Sequence, residues 1–181
     1  MKRFLNRYGV LLGAAAVIVA VDQWTKYLVR TNIAYGMVWA PWDWLLPYAR
    51  IVHWNNSGAA FGMLQNYNLV FTALAIVVSG LIIYYYPRIA PEDWYLRAAL
   101  CLQLGGALGN LVDRLLVGQV TDFISVGSFA VFNVADSCIT VGVIVLLVGF
   151  WIKDGQQKKP APVSTSERGP IDPQAGGGQG G

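Results

Sequence analysis

Four aspartates in this chain sit where carboxylates are costly. Asp22, Asp113, Asp122 and Asp136 lie in or beside long apolar runs, whereas Asp43, Glu92, Asp93, Glu167 and Asp172 fall in polar connections or the tail and Asp154 ends the last run. Ionisable groups at membrane depth are expensive and mark function by default. Two carboxylates a few ångströms apart cannot both ionise easily, so they share a proton. The ionised partner then takes a proton from water while the protonated one polarises a carbonyl, which is metal-free hydrolysis of the aspartic-protease kind. Other catalysts are scarce. His53 is the single histidine, sits in strand-like sequence and belongs to no HExxH motif. Ser57 and Ser137 have no base partner other than the aspartates. Mg²⁺ or Ca²⁺ suits a four-aspartate cluster, but no phosphate-binding context accompanies it, so no metal and no cofactor are expected.

Spacing adds detail. Asp22 and Lys26 are i,i+4 and share a helix face, as a structural ion pair or as a pair that orients substrate. Gly105 and Gly109 form a GxxxG with Gly106 beside it, which allows close approach of a helix or a ligand. Asn110, Asp113 and Arg114 follow at i,i+3 and i,i+4, and Asn133 and Asp136 repeat the i,i+3 step. From spacing alone this set is either a polar network joining two helices or a reaction centre.

The elements that must carry these residues are membrane spans. The chain is 55% hydrophobic, 13% charged and has mean hydropathy +0.47, against about 25% charged residues in soluble domains. A span needs about 20 mostly apolar residues. Four candidates meet this: about Tyr8 to Val29, Leu69 to Tyr86 (stopped by Pro87), Trp94 to Leu116, and Val131 to Ile152 (stopped by Lys153-Asp154). The expectation is an all-α membrane protein of four transmembrane helices, residues 1–155, followed by a disordered cytoplasmic tail, 156–181, rich in Pro, Gly, Ser and Gln. Cys101 and Cys138 match no metal or redox spacing and read as packing residues.

Orientation follows from the basic residues. Lys2, Arg3, Arg7, Arg88, Arg97, Lys153, Lys158 and Lys159 fall on one side. The smaller set Lys26, Arg30, Arg50 and Arg114 falls on the other. Both termini are therefore expected in the cytoplasm and the four aspartates at the outer face. The segment from Thr31 to Asn68 is too long for a turn. Arg50 to Trp54 and Gly118 to Phe132 read as strands, giving a small extracytoplasmic β-sheet, and the Trp-rich stretch from Pro41 to Tyr48 suits the interface. The net charge of +3 forms no stripe for nucleic acid.

At these residues the sequence resembles the lipoprotein signal peptidases, or type II signal peptidases. Asp22-Gln-Trp-Thr-Lys26 resembles the family's DQxxK block, and Asn56-Ser-Gly58-Ala-Ala-Phe61-Gly62 its NxGAAF block. Gly105 through Asn110 to Asp113-Arg114 resembles GGxxGNxxDR, Val120-Thr-Asp122-Phe123 resembles VxDF, and Phe132-Asn133-Val-Ala135-Asp136 resembles FNxAD. The resemblance covers the chain to about Asp154; the glycine-rich tail matches nothing in it. It implies a bacterial inner-membrane aspartyl endopeptidase, with an interfacial helix beside the sheet. The enzyme would act on diacylglyceryl-modified prolipoproteins, cut before the lipidated cysteine, and be blocked by globomycin-type inhibitors. By motif, the catalytic residues would be Asp122 and Asp136, with Asp113 the nearest rival. Asp22, Lys26, Asn56, Gly58, Asn110, Asp113, Arg114, Asn133 and Ala135 would support the site or hold substrate.

Two rival readings remain. A small proton-coupled transporter also uses intramembrane carboxylates, but these lie near one face with no second gate. A non-catalytic scaffold predicts that Asp122→Asn and Asp136→Asn are harmless. The polar cluster can be completed within one chain, so a monomer is expected, with membrane lipid and prolipoprotein substrates as its partners.

Overall fold

The computed structural model describes residues 2–56 and 67–157. Gly58, assigned above to a substrate-side block, lies outside them. The elements run α1 (Lys2–Asn32), β1 (Val38–Trp39), a 3-10 turn (Asp43–Leu45), β2 (Ala49–Asn56), α2 (Asn68–Tyr85), a 3-10 turn (Tyr86–Arg88), α3 (Trp94–Leu116), β3 (Val120–Val126) and α4 (Val134–Gln157).

Among the described residues, three helical stretches are long and apolar enough to cross a bilayer: Tyr8–Asn32, Asn68–Arg88 and Val134–Asp154. The fourth helix, α3, has 23 residues, enough for the crossing length of about 20, but Arg97, Gln103, Asn110, Asp113 and Arg114 lower its hydropathy. Its position accounts for that composition. It packs against α1, α2 and α4, and Leu104, Gly105, Gly106, Gly109, Asn110 and Asp113 are all buried in it. A helix surrounded by other helices can carry polar groups that a lipid-facing one cannot. The apolar part of the core joins α1 to the turn end of the α2–α3 hairpin through Leu11, Ala15, Ile82, Tyr86, Cys101 and Leu104.

Glycines set the helix spacing. A Cβ on Gly105 would stand 2.7 Å from the Ile18 Cβ of α1. One on Gly106 would collide with the Ala135 carbonyl of α4, and one on Gly109 would stand 2.8 Å from Asp22 Oδ2 and 3.2 Å from the Ala135 Cβ. The GxxxG face therefore serves close helix packing on two sides.

The sheet is antiparallel in the order β1-β2-β3. β2 belongs to the connection after α1 and β3 to the connection after α3, so both connections lie on one side of the helices. Asn68 at the start of α2 closes this end, donating its Nδ2 to the Gly118 carbonyl at 2.7 Å. Gly118 itself has φ +86° and ends α3, its N–H and that of Val117 both reaching the Asp113 carbonyl.

Three expectations change in detail. β1 is an extra strand. The stretch from Pro41 to Tyr48, where an interfacial helix is implied, contains one 3-10 turn with Trp42 and Trp44 stacked and exposed. α4 starts later than Val131, because Phe132 instead pairs with Ile124 of β3. It also runs past Lys153-Asp154 to Gln157: charges end an apolar run, but Lys and Asp do not break a helix.

Candidate active site

The C-terminal ends of α1 and α3 and the N-terminal end of α4 meet the sheet at two connected polar clusters. The first is built on three buried side chains. Asp22, Lys26 and Asp113 are each 0% exposed. Lys26 Nζ lies 2.8 Å from Asp22 Oδ2 and 3.1 Å from Asp113 Oδ2, and donates to Asn110 Oδ1 at 2.9 Å. Arg30 reaches Asp113 Oδ1 at 3.3 Å. Two carboxylates thus face two cations, and the cluster is neutral, as burial requires. The remaining acceptor sites are also taken. Asp22 Oδ1 accepts the Ala135 N–H at 2.9 Å, Asp113 Oδ2 accepts the Thr121 N–H at 3.0 Å, and Gln23 donates to Asp22, Asp113 and the Gly109 carbonyl.

The second cluster holds Asp122 and Asp136. Asp122 Oδ1 accepts from Asn133 Nδ2 at 2.7 Å, and its Oδ2 from Asn56 Nδ2 at 3.0 Å. Asp136 Oδ1 accepts from Asn110 Nδ2 at 2.7 Å. Asn133 Nδ2 also lies 3.1 Å from Asn110 Oδ1, so an amide chain links the two carboxylates. Asn133 and Asp136 additionally form a capping box on α4, with Asp136 N–H to Asn133 Oδ1 at 2.9 Å and Asn133 N–H to Asp136 Oδ2 at 3.3 Å.

Asp122 and Asp136 both line a cavity of about 570 Å³, together with Asn56, Asn110 and Arg114 on its polar side and Phe71, Phe129, Phe132 and Ile139 on its apolar side. That volume suits a ligand site. Asp113 does not line it, and four donors (Gln23, Lys26, Arg30 and the Thr121 N–H) fill its acceptor capacity. The carboxyl of Asp122 is pushed up to about 7, first by desolvation and then by the negative charge of Asp136, against the donors Asn56 and Asn133 and the charge of Lys26. Near neutrality it can hold a proton.

The described residues of the expected site come together, but they divide. Asp22, Lys26, Asp113 and Ala135 form the buried support. Asn110 bridges and, with Asn56, Arg114, Asp122 and Asp136, lines the cavity, while Asn133 is buried behind the two carboxylates. Asp113 and Arg114, expected on one face, point to either side of Asn110, because consecutive helix residues are about 100° apart. Arg114 instead stands over the Phe71 ring at 5.5 Å. Gln23, Arg30 and Thr121 were not singled out from sequence. Arg30 was legible, since it continues the i,i+4 stripe of Asp22 and Lys26 by one turn; Thr121 was not. His53 is structural, with Nδ1 2.8 Å from the Ile33 carbonyl and its ring against Tyr35.

Comparison with known proteins decides the family. The signal peptidase (SPase) II family matches residues 14–152. The chain belongs to the signal peptidase II family. Members are aspartic peptidases that remove signal peptides from prolipoproteins, and this chain is one of them. It is similar to the lipoprotein signal peptidase of Moorella thermoacetica, 39% identical over 79% of this chain and 93% of the relative. It is similar to that of Acinetobacter baylyi, 37% identical over 85% and 88%, and to that of Staphylococcus aureus, 32% identical over 90% and 98%. A solved bacterial membrane enzyme superposes with TM-score 0.76 at 32% identity, covering 86% of this chain and 94% of that one.

Proposed function

We propose that Asp122 and Asp136 are the catalytic pair of this signal peptidase and that they act through an activated water. The observation that carries this is that, among the described residues, these are the acidic side chains lining the cavity, while Asp22 and Asp113 are saturated by cations and amides. Asp122, whose carboxyl is raised to about 7, holds the shared proton and delivers it to the scissile carbonyl oxygen. Asp136, fixed by Asn110 and by the first turn of α4, takes a proton from the attacking water. The tetrahedral diol then collapses with proton transfer to the leaving amine. The substrate is a prolipoprotein carrying diacylglycerol on its cysteine, cut on the N-terminal side of that cysteine. The apolar wall of Phe71, Phe129, Phe132 and Ile139 suits such a lipid-anchored segment.

In this reading all four helices cross the bacterial inner membrane. Two connections that share one sheet require α2 and α3 to leave that face and return to it, which supports a crossing by α3. The distribution of basic residues supports an orientation with that face outside and both termini in the cytoplasm. The exposed Trp39, Trp42, Trp44 and Trp54 lie at the outer interface.

The test is cleavage of a diacylglyceryl-modified prolipoprotein by the purified chain and by Asp122→Asn, Asp136→Asn and Asp113→Asn, followed as a gel shift with and without a globomycin-type inhibitor. The first two variants should be folded and inactive, and Asp113→Asn should lose activity in step with its stability. Full activity in a folded Asp122→Asn or Asp136→Asn variant would remove the assignment.

A further inference from the structure

Arg30 lies outside the blocks that carry the family resemblance and does not reach the cavity, yet it touches the residue next to Asp122. Its Nη1 donates to Thr121 Oγ1 at 3.2 Å and to Asp113 Oδ1 at 3.3 Å. Thr121 is 0% exposed, and its N–H is held by Asp113 Oδ2 at 3.0 Å. Arg30, Asp113 and Thr121 therefore close a triangle over three elements: the last turn of α1, the outer end of α3, and β3. Its third corner is one peptide bond from Asp122, whose two oxygens must meet Asn133 and Asn56 at the same time.

We infer that Arg30 and Thr121 are positioning residues that hold the strand beneath Asp122 in register, so that its carboxyl faces the reaction cavity. The backbone of Thr121 is held by Asp113 and by its ladder partner Asn55, whereas the Arg30 bond is what holds its side chain to α1. The Asn133 contact to the Thr121 carbonyl is long, at 3.5 Å. The β2–β3 ladder continues through Trp54–Asp122, Asn55–Thr121 and Asn56–Val120, but its register shifts between Ile51 and Trp54, so regular pairing is interrupted immediately beside Asp122 and the strand bends there. Arg30 is suited to the task because it leaves the last turn of α1 and one nitrogen serves both partners. Its charge also completes the balance of Asp22 and Asp113 against Lys26.

This rests on Asp122 being catalytic, so Asp122→Asn is assayed alongside. Arg30→Met removes charge and donor, Arg30→Lys keeps the charge, Thr121→Val removes the hydroxyl, and Thr121→Ser keeps it. For each, kcat, KM and Tm are measured on the lipid-modified prolipoprotein, together with the Arg30→Met/Thr121→Val double variant. The inference expects Arg30→Met and Thr121→Val to lower kcat by about tenfold or more, the range for sub-ångström misplacement of a reacting group, with KM within about twofold. The double variant should be no slower than the worse single one, since both break the same link, and Thr121→Ser should restore most of the rate. Unchanged kcat in folded Arg30→Met and Thr121→Val, alongside an inactive Asp122→Asn, overturns the inference and leaves the catalytic pair standing. Multiplicative losses, or no rescue by serine, overturn it as well. An active Asp122→Asn removes it together with the catalytic assignment.

Discussion

Asn110 holds Lys26 on its amide oxygen and Asp136 on its amide nitrogen, at 2.9 Å and 2.7 Å. One side chain of α3 thus joins the buried ion cluster to the cavity that carries the carboxylate pair. The amide can do this because it presents an acceptor and a donor in opposite directions. A carboxylate there would repel Asp136, and an aliphatic residue would leave the lysine and Asp136 each short of a partner.

Lys26→Met should be among the most damaging single substitutions. It leaves Asp22 and Asp113 buried, with Arg30 as the nearest remaining cation, and breaking a buried ion cluster costs about 3–5 kcal/mol. Thermal unfolding in detergent or lipid should show a large drop in Tm, with recovery of part of it in Lys26→Met/Asp22→Asn. By contrast, Lys153→Gln breaks the exposed contact of Lys153 with Asp93 and should leave Tm and cleavage unchanged, because solvent already screens that pair.

Asn133→Ala removes two functions at once. The helix cap is lost, costing about 1 kcal/mol, and Asp122 Oδ1 loses its 2.7 Å donor. The rate should fall by on the order of 10²-fold, comparable to losing one preorganised donor, while Tm falls modestly. Asn133→Asp, which keeps the cap acceptor but adds a third carboxylate, should retain more stability than alanine and no more activity. Cleavage rates and melting curves on the same samples separate the two effects.

The raised carboxyl of Asp122 makes both activity and stability depend on pH. Cleavage needs its proton, so kcat/KM should decline as pH rises through about 7. The stability sign is the same: the folded value lies above the usual 3.8, so the stabilising contribution of the protonated form is complete below about 4 and lost as pH rises through about 7. The total is on the order of a few kcal/mol. Asp122→Asn should therefore melt higher than the parent at pH 8, with a smaller gain at pH 5, even though it does not cut. Tm measured across pH 4–9 for both proteins checks this.

Gly106→Ala and Gly109→Ala should separate α3 from α4 and α1. An added methyl meets the Ala135 carbonyl in the first case and Asp22 Oδ2 in the second, with overpacking costs of about 1–3 kcal/mol each. Activity should fall with stability, since Ala135 begins the turn that carries Asp136. Gly80→Ala, where the added methyl meets nothing within 4 Å, is the control and should be neutral or slightly stabilising.

Much of this was legible in the residues because it depends on local sequence. Apolar runs of bilayer length define helices at α1, α2 and α4, and the bounds of α3 coincide with the sequence expectation at Trp94 and Leu116. Carboxylates inside such runs are conspicuous because their burial is costly, so Asp22, Asp113, Asp122 and Asp136 could be singled out together. The i,i+3 step from Asn133 to Asp136 contained the capping box. Spacing could not divide the four aspartates into two that are neutralised and two that face a cavity. That depends on which cations and amides arrive from other elements. Lys26 and Arg30 reach Asp113 from α1, Asn56 reaches Asp122 from β2, and Asn110 reaches Asp136 from α3. β1 was missed because two residues carry no periodicity, and the role of Thr121 because its burial arises only where β3 meets α1 and α3. Local patterning fixes where a helix or strand forms, while a carboxylate's charge and partners are set by long-range packing.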